Sequence, residues 1–208
     1  MSTERTRRSR AGGCVGKKAR LREDRGMTLS PRLPSALACQ VAGAGPNGAE
    51  LSWMTELALR RGARGLAIGR GRSAATATAV TAFARRWEAS GGTVLCVVTW
   101  PEEAASWLRQ ATRYAAADPE LWIMAGSPRG WAQMTRRLLW STSWQPGRTL
   151  AFAALGTQRA IGLVGAHNLQ GLAGATADGG TWTVCNGSIQ VSPRDRNRDS
   201  FIVHASQR

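Results

Sequence analysis

Apolar positions follow no regular spacing until about residue 46, and then fall into a series of distinct patterns. Asn47-Gly48-Ala49-Glu50 places suitable residues at the N-cap and N3 positions of a capping box. Beyond it, Leu51, Met54, Leu57 and Ala58 recur at helical spacing up to Gly62, a C′ residue free to take positive φ. Gly65–Gly69 reads as a short buried strand, and Ser73 caps a helix that runs to about Ser90 before Gly91-Gly92. Thr93–Thr99 is the clearest strand, a β-branched run without charge. Pro101 in a first turn, with Glu102 and Glu103 at the positive end of a dipole, predicts a helix from there to Asp118-Pro119. Leu121–Ala125 is a third strand. Ser127-Pro128 opens a helix carrying Trp131, Met134 and Leu138, and Trp144–Gly147 turns the chain into a fourth strand over Thr149–Ala153.

Strands separated by helical stretches in this way predict an α/β fold: an open, doubly wound, mostly parallel sheet of four to five strands with helices on both faces. Strands apolar throughout, rather than alternating, fit burial on both sides. The end of the chain has a different pattern. Thr181–Cys185 and Ser188–Val191 flank Asn186-Gly187, which predicts a type I′ hairpin with Val184 opposite Ile189 and Trp182 opposite Val191, all on one face. The expected organisation is a disordered basic arm over 1–45, the α/β domain over 46–192 and a charged tail over 193–208. Phe201–Val203 could add a short edge strand.

Charge sharpens this division. The 208 residues carry a net charge of +15, yet +7 of it sits in Met1–Arg32 and +2 in Arg194–Arg208. Only Lys17 and Lys18 are lysines, a skew expected of the GC-rich coding typical of actinobacteria. Two readings of the arm therefore stand, codon bias or polyanion contact through Arg5–Arg32. No apolar run is long enough to span a membrane. Arg7-Arg8 and Gly13-Cys14 lack the apolar segment of an export signal, so the expected address is the cytoplasm. Cys14, Cys39, Cys96 and Cys185 show no metal-ligand spacing, and neither do His167 and His204. Cys96 reads as a small core residue. No catalytic frame or phosphate loop of the Walker type is found, so no enzyme activity, cofactor or metal is expected.

In a parallel sheet, ligands bind beyond the carboxyl ends of the strands. Those ends supply Arg70-Gly71-Arg72-Ser73, Trp100-Pro101-Glu102, Ser127-Pro128-Arg129-Gly130 and Leu155-Gly156-Thr157. Two of these loops offer an arginine and a hydroxyl beside a helix start, chemistry suited to a carboxylate, phosphate or polar head group. Plain helix capping by Ser73 and Ser127 is the competing explanation. Trp100 and Trp131 flank the expected cleft, whereas Trp87, Trp107 and Trp140 read as packing residues. Gly69–Ala74 also fits G-x-G-x-x-A between a strand and a helix, a Rossmann-like dinucleotide pattern, although no acidic residue closes the following strand.

From about Leu57 to Thr176 the chain resembles one lobe of the type 1 periplasmic-binding fold, the leucine- and amide-binding branch of ABC-transporter solute receptors. The resemblance is carried by Arg61–Ile68 (RGARGLAI), Phe83–Val98 (FARRWEASGGTVLCVV), Leu108–Ala125 and Leu163–Ala175 (LVGAHNLQGLAGA). It implies a substrate-binding protein whose second lobe touches ligand through Arg70–Ser73 and Ser127–Arg129. It also implies an extracytoplasmic address if the true start lies elsewhere. The chain departs from the family in having Arg, Ser and Pro where aromatic and acidic residues often stand, and no segment matches the family's first lobe. Three functions follow: a non-enzymatic small-molecule binding lobe for an amino acid, amide or other polar or anionic solute; a nucleotide- or NAD(P)-binding protein using Gly69–Ala74; and a nucleic-acid-associated protein using the basic arm. A single lobe cannot enclose a ligand, so tight solute binding requires a partner lobe or a homodimer.

Overall fold

A computed structural model describes residues 47–194. The expectations for the basic arm, Cys14, Cys39, His204 and Phe201–Val203 lie outside the described residues. In chain order the elements are α1 (Gly48–Arg60), β1 (Gly65–Gly71), α2 (Ala74–Ala89), β2 (Thr93–Trp100), α3 (Leu108–Ala116), β3 (Leu121–Ala125) and α4 (Pro128–Ser141). They continue with β4 (Thr149–Ala151), α5 (Gln158–Gly162), β5 (Ala173–Ala175), β6 (Thr181–Cys185) and β7 (Ser188–Ser192). One sheet of seven strands runs in the order β2-β1-β3-β4-β5-β6-β7. The first five strands are mutually parallel, and β6 and β7 join antiparallel. This is the open, mostly parallel α/β sheet with a terminal hairpin that the sequence pattern predicts.

The alternation of side chains along each strand divides the core between two faces. Leu66 and Ile68 of β1 join Met54, Phe83 and Trp87 from α1 and α2. On the other face, Ala67 joins Trp107, Tyr114, Trp131 and Leu138 from the α3 and α4 side. The hairpin keeps the expected register, Val184 opposite Ile189 and Trp182 opposite Val191. Asn186 and Gly187 take φ of 50° and 75°, the positive values a type I′ turn demands.

The structure corrects several expectations. Pro101 does not start a helix: α3 begins at Leu108, and 101–107 is a strap anchored by buried Trp107, whose Nε1–H donates to the Pro101 carbonyl at 3.0 Å. The first-turn acids do serve a helix dipole, but that of α4. The capping box at α1 is half realised: Asn47 Oδ1 accepts from Glu50 N–H at 2.9 Å, while the Glu50 carboxylate reaches away to accept from Ala153 N–H at 2.6 Å. β2 is not buried on both sides; as the edge strand it leaves Leu95 and Val97 exposed and Cys96 only half-buried. Trp140 is 66% exposed rather than packed, and Val191 at the hairpin's outer edge is exposed. β4 stops at Ala151. β5, just Ala-Gly-Ala, has no β-branched residue to announce it.

Candidate switch-point site

The order β2-β1-β3 makes the gap between β1 and β3 the point where the sheet's winding reverses, and ligand crevices open outside the carboxyl ends of strands there. β1 delivers Arg70 and Gly71 to this gap and leads through Arg72 and Ser73 into α2. β3 delivers Ala125 and leads through Gly126 and Ser127 into α4. The two loops touch: a Cβ on Gly126, whose φ is 157°, would lie 3.3 Å from the Gly71 nitrogen.

Ser73 and Ser127 both cap helices. Ser73 Oγ accepts from Thr76 N–H at 3.2 Å, and Ser127 Oγ accepts from Gly130 N–H at 3.2 Å. The start of α4 also holds a carboxylate. Glu102, half-buried in the strap after β2, accepts from the Ser127 hydroxyl and, at 3.1 Å, from Gly130 N–H. Its side chain lies where a Cβ on Gly130 would sit, and 2.6 Å from where one on Gly71 would sit. The two glycines therefore make room for this carboxylate, which receives the anion-favouring end of the α4 dipole. Beside it, Arg129 Nη1 pairs with Glu103 Oε1 at 2.9 Å. The start of α2 has no acid in its first turn, and Arg72 is exposed without an ion pair among the described residues. Arg70 is half-buried and turns its Nη1 onto the Gly71 carbonyl at 3.2 Å.

The residues expected at the site are thus brought together, with two changes of place. Trp100 and Trp131 are both 0% exposed, core residues of the α3 and α4 side rather than the flanks of a cleft. Trp100 covers Gly69, where a Cβ would lie 2.6 Å from its ring and 3.0 Å from Tyr114. Among the described residues, the Nε1–H groups of Trp100 and Trp131 have no hydrogen-bond partner. The residue that sequence reasoning misplaced is Glu102. Its position two residues after a strand end was the available signal, outweighed by the proline beside it. Gly69 and Gly71, read from sequence as a dinucleotide pattern, are covered by Trp100, Tyr114 and Glu102.

At the opposite, amino ends of the strands, a shallow notch is lined by Arg64, Leu95, Glu120 and Arg148. Glu120 accepts from the N–H groups of Arg64 and Gly65, which holds its carboxyl below the usual range. His167 is exposed, and among the described residues no group of three or more His, Cys, Asp or Glu could hold a metal. No described helix is long and apolar enough to cross a membrane.

No protein-family model matches the chain, and no curated protein matches it. Solved structures do. A branched-chain amino acid ABC-transporter periplasmic ligand-binding protein from Burkholderia xenovorans superposes with a TM-score of 0.52 at 16% identity, over 64% of this chain and 36% of that one. A substrate-binding periplasmic protein from Ralstonia solanacearum gives 0.52 at 17% identity, over 62% and 36%. A solute-binding protein of an ABC transporter from Rhodopseudomonas palustris, solved with 3,4-dihydroxybenzoic acid, gives 0.50 at 15%, over 62% and 35%. The chain spans about a third of the length of these proteins, and over that span its fold is similar to theirs.

Proposed function

We propose that the chain is a non-enzymatic binding lobe for a small polar solute, an amino acid, an amide or a related compound, held at the carboxyl ends of β1 and β3. The observation that carries this reading is the pairing of an open helix start with a closed one across the switch point. Arg72 offers a cation without an ion pair among the described residues at α2, beside Ser73 whose hydroxyl is engaged with Thr76, while Glu102, Glu103, Ser127 and Arg129 present both signs of charge at α4. Such a surface suits a ligand bearing both a carboxylate or carbonyl and a donor group. A second surface, from a partner lobe or a second copy, completes the enclosure.

A thermal-shift screen of the purified chain tests the reading. A shift with amino acids, amides or small carboxylates, reduced in the Arg72→Ala variant, is the expected result. A shift with NAD(P) and none with those solutes overturns it in favour of a dinucleotide site at Gly69–Ala74. Retention on DNA that disappears when Met1–Arg32 is deleted would instead give the arm its own role.

A further inference from the structure

The open edge of the sheet at β2 lies one strand beyond the switch point, and its exposed residues Leu95 and Val97 have no part in the reading above. β2 is the longest strand of the sheet, with eight residues from Thr93 to Trp100 and neither charge nor proline among them. Exposed edges usually carry such guards, because their unpaired N–H and C=O groups invite another strand. The opposite edge is better protected: β7 is short, bears Ser188, Gln190 and Ser192, and runs directly into Pro193. On β2, by contrast, Leu95 is 50% exposed and Val97 42%. The pairing with β1 skips Leu95, and from Cys96 to Trp100 the register then continues for five residues without interruption. Five regular residues make a template for strand addition.

The surroundings of this edge have one dominant sign. On one face α3 carries Arg109 and Arg113, one turn apart, both exposed and without ion pairs among the described residues. Arg113 is near enough for its charge to act on the Cys96 thiol, although burial is the larger influence and pushes that thiol up. On the other face α2 carries exposed Arg85 and Arg86. The acids nearby are Glu88 on α2, Glu120, which is held by backbone N–H groups, and Asp118, which lies 3.6 Å from Arg148. A second copy is a poor occupant. Antiparallel pairing of β2 with β2 puts the two-fold axis normal to the sheet and keeps like faces together. That would set α3 against α3, arginine against arginine, between chains of net charge +15.

We propose that β2 is a docking edge for an extended segment of a partner protein, alternating acidic and apolar residues, which adds as an eighth strand. Main-chain hydrogen bonds supply the affinity, apolar residues cover Val97 on the α2 face, and carboxylates on the opposite face meet Arg109 and Arg113 of α3.

The test uses the full chain and two synthetic octapeptides, one alternating Glu and Val and one alternating Lys and Val. The expected result is binding of the acidic peptide roughly tenfold or more tighter than the basic one, weakening as salt rises. Amide hydrogen exchange should slow at Thr93–Trp100 when the acidic peptide is bound. The exposed double variant Arg109→Glu/Arg113→Glu should lose the preference while keeping its thermal midpoint, and Val97→Glu should weaken binding independently. Equal binding of the two peptides, or protection elsewhere than β2, overturns the proposal. So do β2 amides already protected in the full chain without peptide, which would indicate that one of its own segments covers the edge. A concentration-dependent dimer abolished by Val97→Lys assigns the edge to a second copy and likewise overturns it. None of these outcomes depends on whether the switch-point crevice binds a solute.

Discussion

The starts of α2 and α4 begin from nearly the same local chemistry and end in different states. Each follows a parallel strand, each is capped by a serine that accepts a backbone N–H three residues on, and each has an arginine within two residues of the cap. At α2 the end of the helix dipole faces outward with no acid. At α4 the Glu102 carboxylate fills that position, and Glu103 neutralises Arg129. The difference lies wholly in a strap of seven residues that belongs to neither helix. A helix start that looks ready for an anion from its own sequence can already hold one donated by another part of the chain. An anionic ligand therefore finds α2 open and must compete with Glu102 at α4.

The largest expected effect comes from Trp100, which packs against Gly69 of β1 and Gly126 after β3. Trp100→Ala should cost about 3–5 kcal/mol, in the range for emptying an aromatic site in a core. Unfolding in urea would measure it. A loss below about 1 kcal/mol would mean that the ring is not the support the packing indicates.

Next in size is Glu102→Ala, which leaves Ser127 and Gly130 without their shared acceptor and should cost about 1–3 kcal/mol. At α2 the matched change, Ser73→Ala, removes only a cap and should cost about 1 kcal/mol. Added sulfate should raise the thermal midpoint of the Glu102→Ala protein more than that of the Ser73→Ala protein, because only the first variant has a second helix start vacated for an anion. If the two variants lose equal stability and respond alike to sulfate, the distinction between a closed and an open helix start collapses.

The smallest effect concerns Glu50, buried at the start of α1 against the backbone after β4. Burial raises its carboxyl above the ordinary glutamate value, more than the Ala153 N–H lowers it. A carboxyl raised on folding contributes most below its unfolded pKa, and that contribution fades as pH rises through its folded one. Glu50→Gln keeps an acceptor for Ala153 and removes the titration. The difference in thermal midpoint between variant and wild type should therefore grow in favour of the variant from about pH 4.5 upward. Parallel curves would show that Glu50 stays ionised without cost.

Much of the fold was legible along the chain because its signals are local. Ser127-Pro128 capped and opened α4, Gly62 took φ of 70° beyond α1, and Asn186-Gly187 set the hairpin register. The misread elements depended on distant partners. A proline followed by two glutamates is a sound helix start in isolation, and only the arrival of α4 alongside diverts Glu102 into a latch. An uncharged β-branched run indicates a strand but not its place in the sheet, so β2 was expected inside and lies at the edge.

The sequence by itself therefore determined which segments become strands and helices, how the terminal hairpin pairs, and which loops lie at the carboxyl ends of the strands. Spacing, capping and turn chemistry act within a few residues, and the parallel alternation of elements orders the loops. Only the tertiary structure decided strand order, the burial of Trp100 and Trp131, and which helix start stays open. Those outcomes rest on contacts such as Glu102 with Gly130, 28 residues apart, whose partners are chosen when the sheet assembles and not by their neighbours in the chain.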